Sequence, residues 1–178
     1  MAEHDVYIGV GSNIDPETNI VKALQPLTEH VQVHAISTFY RTAPLDRPEQ
    51  PPFVNGVVEV GTEIEARPLK FDLLRPIEKA LGRVRTEDPF AARTIDLDIL
   101  LFDDAVIHEP SGPDGAVHIP DPEIAERPFW AIPLLELAPD LILPGTATPL
   151  AQASALHCRS DLHPMHDFTT MLRERFAV

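Results

Sequence analysis

A chain of 178 residues with 44% hydrophobic content can bury one core of ordinary size, so a single domain is expected over 1–178, with no room for a second. Its formal charge of −14 excludes general attraction to nucleic acid or an anionic membrane, and any anionic ligand must meet a local cluster of cations. No segment approaches the roughly 18 apolar residues of a membrane span, no secretory signal opens the chain, and the lone cysteine, Cys158, cannot form an internal disulfide; these features predict a cytoplasmic location.

In chain order, residues 6–10 alternate and are β-branched, which predicts a strand, and Gly11-Ser12-Asn13 turns the chain toward a helix. Asp15 is placed as the N-cap, Pro16 as the first helical residue, and Ile20, Ala23, Leu24 and Leu27 share one face of a helix ending near Glu29. Residues 31–40 and 53–60 read as strands, separated by a loop rich in proline (Pro44, Pro48, Pro51, Pro52) of the kind held over a site. A second helix is expected over 68–81, stopped by Gly82. A strong strand follows over 94–102, and the order strand, helix, strand, strand, helix, strand predicts an α+β ferredoxin-like sandwich, an antiparallel sheet with two helices on one face. Beyond it, 109–115 reads as a Pro/Gly loop. Residues 126–137 read as a helix that Pro133 must kink or shorten, and 168–176 as a short helix in a tail, 150–178, of unassigned role.

The chemistry is concentrated in the strand at 94–101. Period-two alternation sends Ile95, Leu97, Ile99 and Leu101 to one face and the carboxylates of Asp96 and Asp98 to the other. Adjacent like charges on a strand call for a cation, and hard oxygen donors suit Mg²⁺. Arg83, Arg85 and Arg93 arrive just ahead of the two acids. Taken apart, the arginines could pair with Glu87 and Asp88 at the surface, and the acids could simply face solvent. Taken together, acids for a metal beside arginines for phosphate describe a phosphoryl-transfer site. Neither a Gly-x-x-x-x-Gly-Lys-Ser/Thr loop nor a kinase His-Arg-Asp set is present, so the phosphates must be held another way.

The segments Gly11-Ser12-Asn13, Phe39-Tyr40-Arg41-Thr42, Phe53-Val54-Asn55, Arg83-Val84-Arg85 and Arg93-Thr94-Ile95-Asp96-Leu97-Asp98 occur in that order. By them the chain resembles the hydroxymethyldihydropterin pyrophosphokinase family over 5–145, a stretch that also holds Pro133-Leu134-Leu135-Glu136 and Ala138-Pro139. The resemblance implies a ferredoxin-like fold and transfer of pyrophosphate from ATP to 6-hydroxymethyl-7,8-dihydropterin in folate biosynthesis. It implies two Mg²⁺ ions on Asp96 and Asp98, and catalytic roles for these two acids with Arg83 and Arg93. ATP would be bound by Glu78, Arg83, Arg85, Arg93, Ile99 and Arg127, and the pterin by Thr42, Ala43, Leu45, Phe53, Asn55 and Phe129. A flat polar bicycle stacked between aromatic rings and read by one amide suits that set. The partners so implied are small molecules, with no nucleic acid or membrane, and the chain is expected as a monomer or weak homodimer.

Two departures stand out. Pro120-Asp121-Pro122 lies where many family members carry a histidine facing the phosphates, so either His118 or a metal compensates the acid or ATP binding is weakened, and Phe90 replaces a tryptophan of the closing loop. In the tail, His157, Cys158, His163 and His166 are zinc-ligand types, but their spacing fits no standard site, and an ordinary polar tail is expected. Two alternatives stay open beside the pyrophosphokinase: a non-catalytic pterin-binding module of the same fold, and a related kinase acting on a modified pterin alcohol.

Overall fold

The computed structural model describes residues 3–43, 49–85 and 91–177, and of 158–160 the backbone alone. In chain order its elements are β1 (His4–Ser12), α1 (Pro16–Leu27), β2 (Gln32–Ile36), β3 (Tyr40–Thr42), β4 (Phe53–Thr62), α2 (66–80), β5 (Asp96–Phe102), β6 (Ile107–Gly112), β7 (Gly115–Ile119), α3 (Pro128–Leu137), β8 (Leu162–Pro164) and α4 (His166–Phe176). The main sheet runs β5-β1-β4-β3-β8, with β2 also paired to β4 along its length. Every pairing in it is antiparallel. This is the ferredoxin-like α+β arrangement that the order of elements predicts.

One face of the sheet carries three helices rather than two. Ile20, Ala23, Leu24 and Leu27 of α1 and Leu69, Leu73, Leu74 and Ile77 of α2 pack with Phe168, Leu172 and Phe176 of α4 against Val6, Ile8, Val10, Val58 and Leu97. The opposite face is covered by α3, whose Trp130, Ala131 and Leu134 cluster with Val57, Leu100 and Leu101. The tail is therefore structural, and the expectation of a polar appendage is corrected. Its helix buries an apolar face, and β8 extends the sheet beyond β3. Arg173 Nε donates to the Ile36 carbonyl at 2.8 Å.

Four further expectations need correction. Asp15 occupies the N-cap position, but its φ of 41° lies in the left-handed region and its side chain makes no cap bond. An ordinary N-cap residue is extended, and Asp15 lacks that backbone geometry. Residues 31–40 form two strands rather than one. Ser37 lies between them and ties the chain to β4: its N–H donates to Val57 O (2.9 Å) and its Oγ accepts from Val57 N–H (2.8 Å). Phe39 then lies over Gly56, where a Cβ would stand 2.6 Å from the ring. The segment taken as a loop at 109–115 belongs to a hairpin, β6 with β7, despite Pro110 and Gly112. It is fastened to α2 by Arg67 to Glu109 (2.9 Å) and by Lys70 Nζ to the Ala116 carbonyl (3.0 Å). Finally, α3 runs through Pro133 to Leu137, because burial of its face against the sheet outweighs the missing hydrogen bond.

Two irregularities shape the site. A register shift between Tyr7 and Ile8 of β1 gives β5 one extra residue, Leu100. Beyond it the alternation reverses, so Leu101 joins the α3 side and not, as strict period two predicts, the side of Leu97 and Ile99. Within α2, a π-helical segment, Leu69–Leu74, lies between the α-helical pieces Ala66–Pro68 and Arg75–Ala80. Pro76, the second residue beyond it, has no N–H for the ordinary helical bond, and the wider turn accommodates it. Gly82 stops the helix at φ 78°. Among the described residues, no helix is long and apolar enough to cross a membrane.

At the far end of β1, His4 Nδ1 donates to Asp103 Oδ2 at 2.6 Å, and chiefly this bond raises the histidine pKa above its ordinary 6.5. The raised value means the folded state holds the proton more tightly than the unfolded chain. The stabilisation is complete below pH 6.5 and disappears as pH rises through the raised pKa. Urea unfolding across this range is expected to show His4→Gln destabilised at the acid end and converging on the wild type at the alkaline end. A difference independent of pH would contradict the assignment.

Candidate active site

Antiparallel pairing brings the end of β1 between the starts of β4 and β5. In register, Gly11 lies between Asn55 and Asp96, and Gly9 between Val57 and Asp98. Gly11 leaves an open floor flanked by the Asp96 carboxylate and the Asn55 amide, while Gly9 lies under the Trp130 ring. Each glycine is needed: a Cβ on Gly11 would sit 2.5 Å from Asn55 Oδ1, and one on Gly9 would sit 2.8 Å from the Trp130 ring. Over this floor opens a cavity of about 420 Å³ whose walls include Thr42, Ala43, Phe53, Asn55, Arg93, Asp96, Asp98, Arg127 and Phe129. Nine of the residues to which the resemblance assigns a site role thus share one space. Asn55 Nδ2 donates to Thr42 Oγ1 at 3.2 Å, which fixes the amide. The Phe53 ring lies under the Arg93 guanidinium at 5.8 Å, and Phe129 meets Trp130 edge to face at 5.1 Å.

The cations arrive from α2 and the segment after it. Glu78, 1% exposed, is their anchor. Its carboxylate accepts from Leu97 N–H (2.8 Å), from Arg75 Nη1 (2.8 Å) and from Arg85 Nη2 (2.7 Å). Arg75 also reaches Asp98 at 3.7 Å, Arg85 reaches Asp96 at 3.9 Å, and Arg93 hydrogen-bonds Asp96. Arg75, Glu78, Arg83 and Arg85 line a second recess of about 820 Å³ between α2 and the β6–β7 hairpin. In it the Arg83 Nε is buried without a hydrogen-bond partner among the described residues, a donor left for a ligand. Seven of the 14 Lys and Arg residues line the two spaces.

The acids are short of positive charge. Burial, and then the Asp96 carboxylate, push the Asp98 pKa well above the usual carboxylate range. Burial likewise raises Glu78, against the pull of Arg75. Asp96 and Asp98, with side chains 15% and 31% exposed, are the two oxygen donors that fit a divalent cation. Among the described residues no group of three or more His, Cys, Asp or Glu is placed to share a metal. An ion at Asp96 and Asp98 would take its other ligands from phosphate and water, as Mg²⁺ does.

Two expected residues fall elsewhere, and two are not among the described residues. Ile99 is 5% exposed and packed in the core on the helix side, lining neither space. Leu45 lies outside the described residues, as does Phe90. His118 does not compensate Asp121: it stands on the outer face of the hairpin beside His108. Asp121 itself lines the first cavity, its Oδ1 accepting from Glu123 N–H at 2.8 Å; burial raises its pKa, and Lys70 pulls it down. Arg75, Lys70 and Trp130 were not singled out. The i, i+3 spacing of Arg75 to Glu78 was the available signal for the first of them.

Ser12 and Asn13 do not touch a ligand space; they fasten its rim. Ser12 Oγ donates to Thr94 O (2.6 Å), Arg93 N–H donates to Asn13 Oδ1 (2.8 Å), and Asn13 Nδ2 donates to Gln50 Oε1 (3.2 Å) and Pro51 O (3.3 Å). One buried amide thereby joins the segment before β5 to the end of the proline-rich loop. Asn13→Ala leaves the Arg93 N–H unmet, and chemical unfolding is expected to show a loss of about 1–3 kcal/mol. Stability unchanged within error would mean the rim does not depend on this side chain.

The stretch that carries these residues is similar to known proteins. A model of the family described as 7,8-dihydro-6-hydroxymethylpterin-pyrophosphokinase matches residues 7–139, which include both carboxylates and the aromatic wall. The 2-amino-4-hydroxy-6-hydroxymethyldihydropteridine pyrophosphokinase of Haemophilus influenzae is 36% identical over 164 residues, covering 89% of this chain and 98% of that protein. The Pseudomonas aeruginosa protein of that name is 37% identical over 142 residues, covering 78% of this chain and 83% of that protein. A solved HPPK-DHPS chain in complex with substrates superposes with a TM-score of 0.68 at 14% identity, over 89% of this chain and 44% of that chain. A Plasmodium falciparum HPPK-DHPS triple mutant with pteroate reaches 0.70 at 11% identity, over 99% and 45%. This chain spans less than half of those solved chains, and the likeness to them is one of fold. The match over 7–139, at this identity to full-length relatives, decides the assignment: the chain belongs to the 7,8-dihydro-6-hydroxymethylpterin-pyrophosphokinase family.

Proposed function

We propose that the chain carries out the reaction of its family, Mg²⁺-dependent transfer of pyrophosphate from ATP to 6-hydroxymethyl-7,8-dihydropterin in folate biosynthesis, at the cavity floored by Gly11. The observation that carries this reading is the convergence of Asp96, Asp98, Asn55, Phe53 and Phe129 on one space with an arginine cluster beside it. The pterin hydroxymethyl oxygen attacks the β-phosphorus of ATP; the new P–O bond forms as the bond from the β-phosphorus to the α-phosphate oxygen breaks, AMP leaves, and the hydroxyl proton passes to water. Bound at Asp96 and Asp98, Mg²⁺ supplies charge neutralisation for the phosphates.

The remaining work falls to the chain's own side chains. Phe53 and Phe129 sandwich the bicycle, and the Asn55 amide, set by Thr42, reads its edge. Ala43 and, outside the described residues, Leu45 border the same ligand. Arg93, Arg83 and Arg85 hold the charge that develops on the transferred group, and Glu78 holds the arginines. Arg75 rests on Asp98 until phosphate takes its charge, and Arg127 contacts the nucleotide. We place Ile99 beneath the nucleotide as core support. The C-terminal segment belongs to the same folding unit.

AMP release with ATP, Mg²⁺ and 6-hydroxymethyl-7,8-dihydropterin tests the proposal. Pterin-dependent AMP is expected in the wild type, abolished by EDTA and restored by Mg²⁺. Asp96→Ala and Asp98→Ala are expected to lower the rate roughly a hundredfold or more, a barrier increase near 3 kcal/mol. Asp121 in the cavity is the observation favouring a binding module instead: pterin binding without AMP in the wild type would establish that reading and sink this one.

Gly11→Ala separates the pterin from the nucleotide. Its Cβ displaces the Asn55 amide, so KM for the pterin is expected to rise about tenfold, the worth of one lost hydrogen bond, with KM for ATP little changed. Equal effects on both substrates would remove Asn55 from the pterin half of the site.

A further inference from the structure

We propose that His108 and His118 form a transition-metal site on the outer face of the β6–β7 hairpin, separate from the Asp96–Asp98 pair and independent of the proposed reaction. The two residues are direct cross-strand partners, on the regular side of the register shift that begins after Glu109. Both are exposed. Their ring centroids are 5.8 Å apart with an interplanar angle of 47°, and the two Nδ1 atoms face each other at 3.5 Å.

That separation is beyond the roughly 2.7–3.2 Å of an ordinary N–H hydrogen bond. It is the spacing two imidazoles take when they share one ion: zinc–nitrogen bonds of about 2.0–2.1 Å at a tetrahedral angle put the two nitrogens about 3.4 Å apart. With the centroids 5.8 Å apart the two Nδ1 atoms point nearly at each other, so both rings must turn for their lone pairs to meet at one ion, a rotation open to exposed side chains. The frame is already rigid, because Arg67 holds Glu109 (2.9 Å) and Lys70 holds the Ala116 carbonyl (3.0 Å). Little chain order has to be created on binding, which favours affinity.

Imidazole nitrogen selects borderline ions such as Zn²⁺, Ni²⁺ and Cu²⁺, whereas Asp96 and Asp98 offer the hard oxygen that suits Mg²⁺. The two sites therefore take different metals. Water completes the coordination at the hairpin, so the ion exchanges readily. The same hairpin contributes Gly115 and Ala116 to the recess that holds Arg75, Arg83 and Arg85. A metal on its outer face stiffens one wall of that recess without entering it.

Calorimetric titration of the full chain with Zn²⁺, in excess Mg²⁺ so that the oxygen site is filled, tests the site directly. One ion per chain is expected for the wild type, weakened at least tenfold by His108→Gln and by His118→Gln, and unaffected by the tail variant His163→Gln/His166→Gln. In NMR spectra the C2 protons of His108 and His118 are expected to shift together as Zn²⁺ is added. Unchanged circular dichroism of the metal-free variants separates loss of ligand from loss of fold. Absence of Zn²⁺ binding in the wild type, or binding that survives His108→Gln undiminished, overturns the proposal.

Discussion

The site depends on one buried carboxylate. Glu78 enters from α2, is almost entirely removed from water, and accepts the backbone N–H of Leu97. Leu97 lies between Asp96 and Asp98, so this bond sets the height of β5 relative to α2 at the position where both acids leave the strand. The other bonds to Glu78 come from Arg75 and Arg85, each of which also reaches one of those acids. A lone buried charge would be intolerable, and three donors with two guanidiniums offset much of the desolvation. The upward pull on its pKa shows that they do not offset all of it. This residual cost is consistent with a site organised for charge still to come.

Charge distribution explains how so acidic a chain can hold a polyanion. Among the described residues, seven Lys and Arg side chains, of 14 in the chain, line the two spaces, so a positive patch is built locally. Within it Arg75, Arg85 and Arg93 are each matched to a carboxylate of the chain itself. A divalent ion at Asp96 and Asp98 would release those arginines toward phosphate, so metal and nucleotide reinforce each other through the same side chains. Asp121 runs against this logic. Lys70, held over the π-helical turn by the Ala116 carbonyl, is the cation that tempers it.

The regular parts of the molecule were legible in the sequence because their signals are local. The apolar stripe of α1 appears residue for residue in the core, and the alternation that separates Asp96 and Asp98 from Leu97 holds as far as Ile99. It fails at Leu101 because the bulge at Leu100 depends on the partner strand and leaves no mark of its own in β5. The hairpin was missed for a related reason: Pro110 and Gly112 are poor strand residues, and pairing with β7 and the ties to α2 hold them extended. In the site, the acids, the aromatics and Asn55 were readable through a family resemblance. Arg75 was not, since its role depends on how α2 lies against β5, a tertiary fact. His118 was misassigned because residue type says nothing about which face of a hairpin it occupies.

The tail shows how distant segments complete a site they do not touch. Without β8, the outer edge of β3 would present unpaired backbone groups, an invitation to pairing with another chain. β8 covers it, and the Met165 N–H donates to the Phe39 carbonyl at 2.9 Å. The Phe39 N–H in turn donates to the Thr169 hydroxyl at 2.9 Å, so the start of α4 holds Phe39 over Gly56. Glu136 of α3 accepts from the Thr38 N–H at 2.7 Å and from the Tyr40 hydroxyl. The two short strands leading to Thr42 are thus fastened from both faces of the sheet. Thr42 sets the amide of Asn55, so the geometry of that amide is the end of a chain of contacts that begins in α4 and α3.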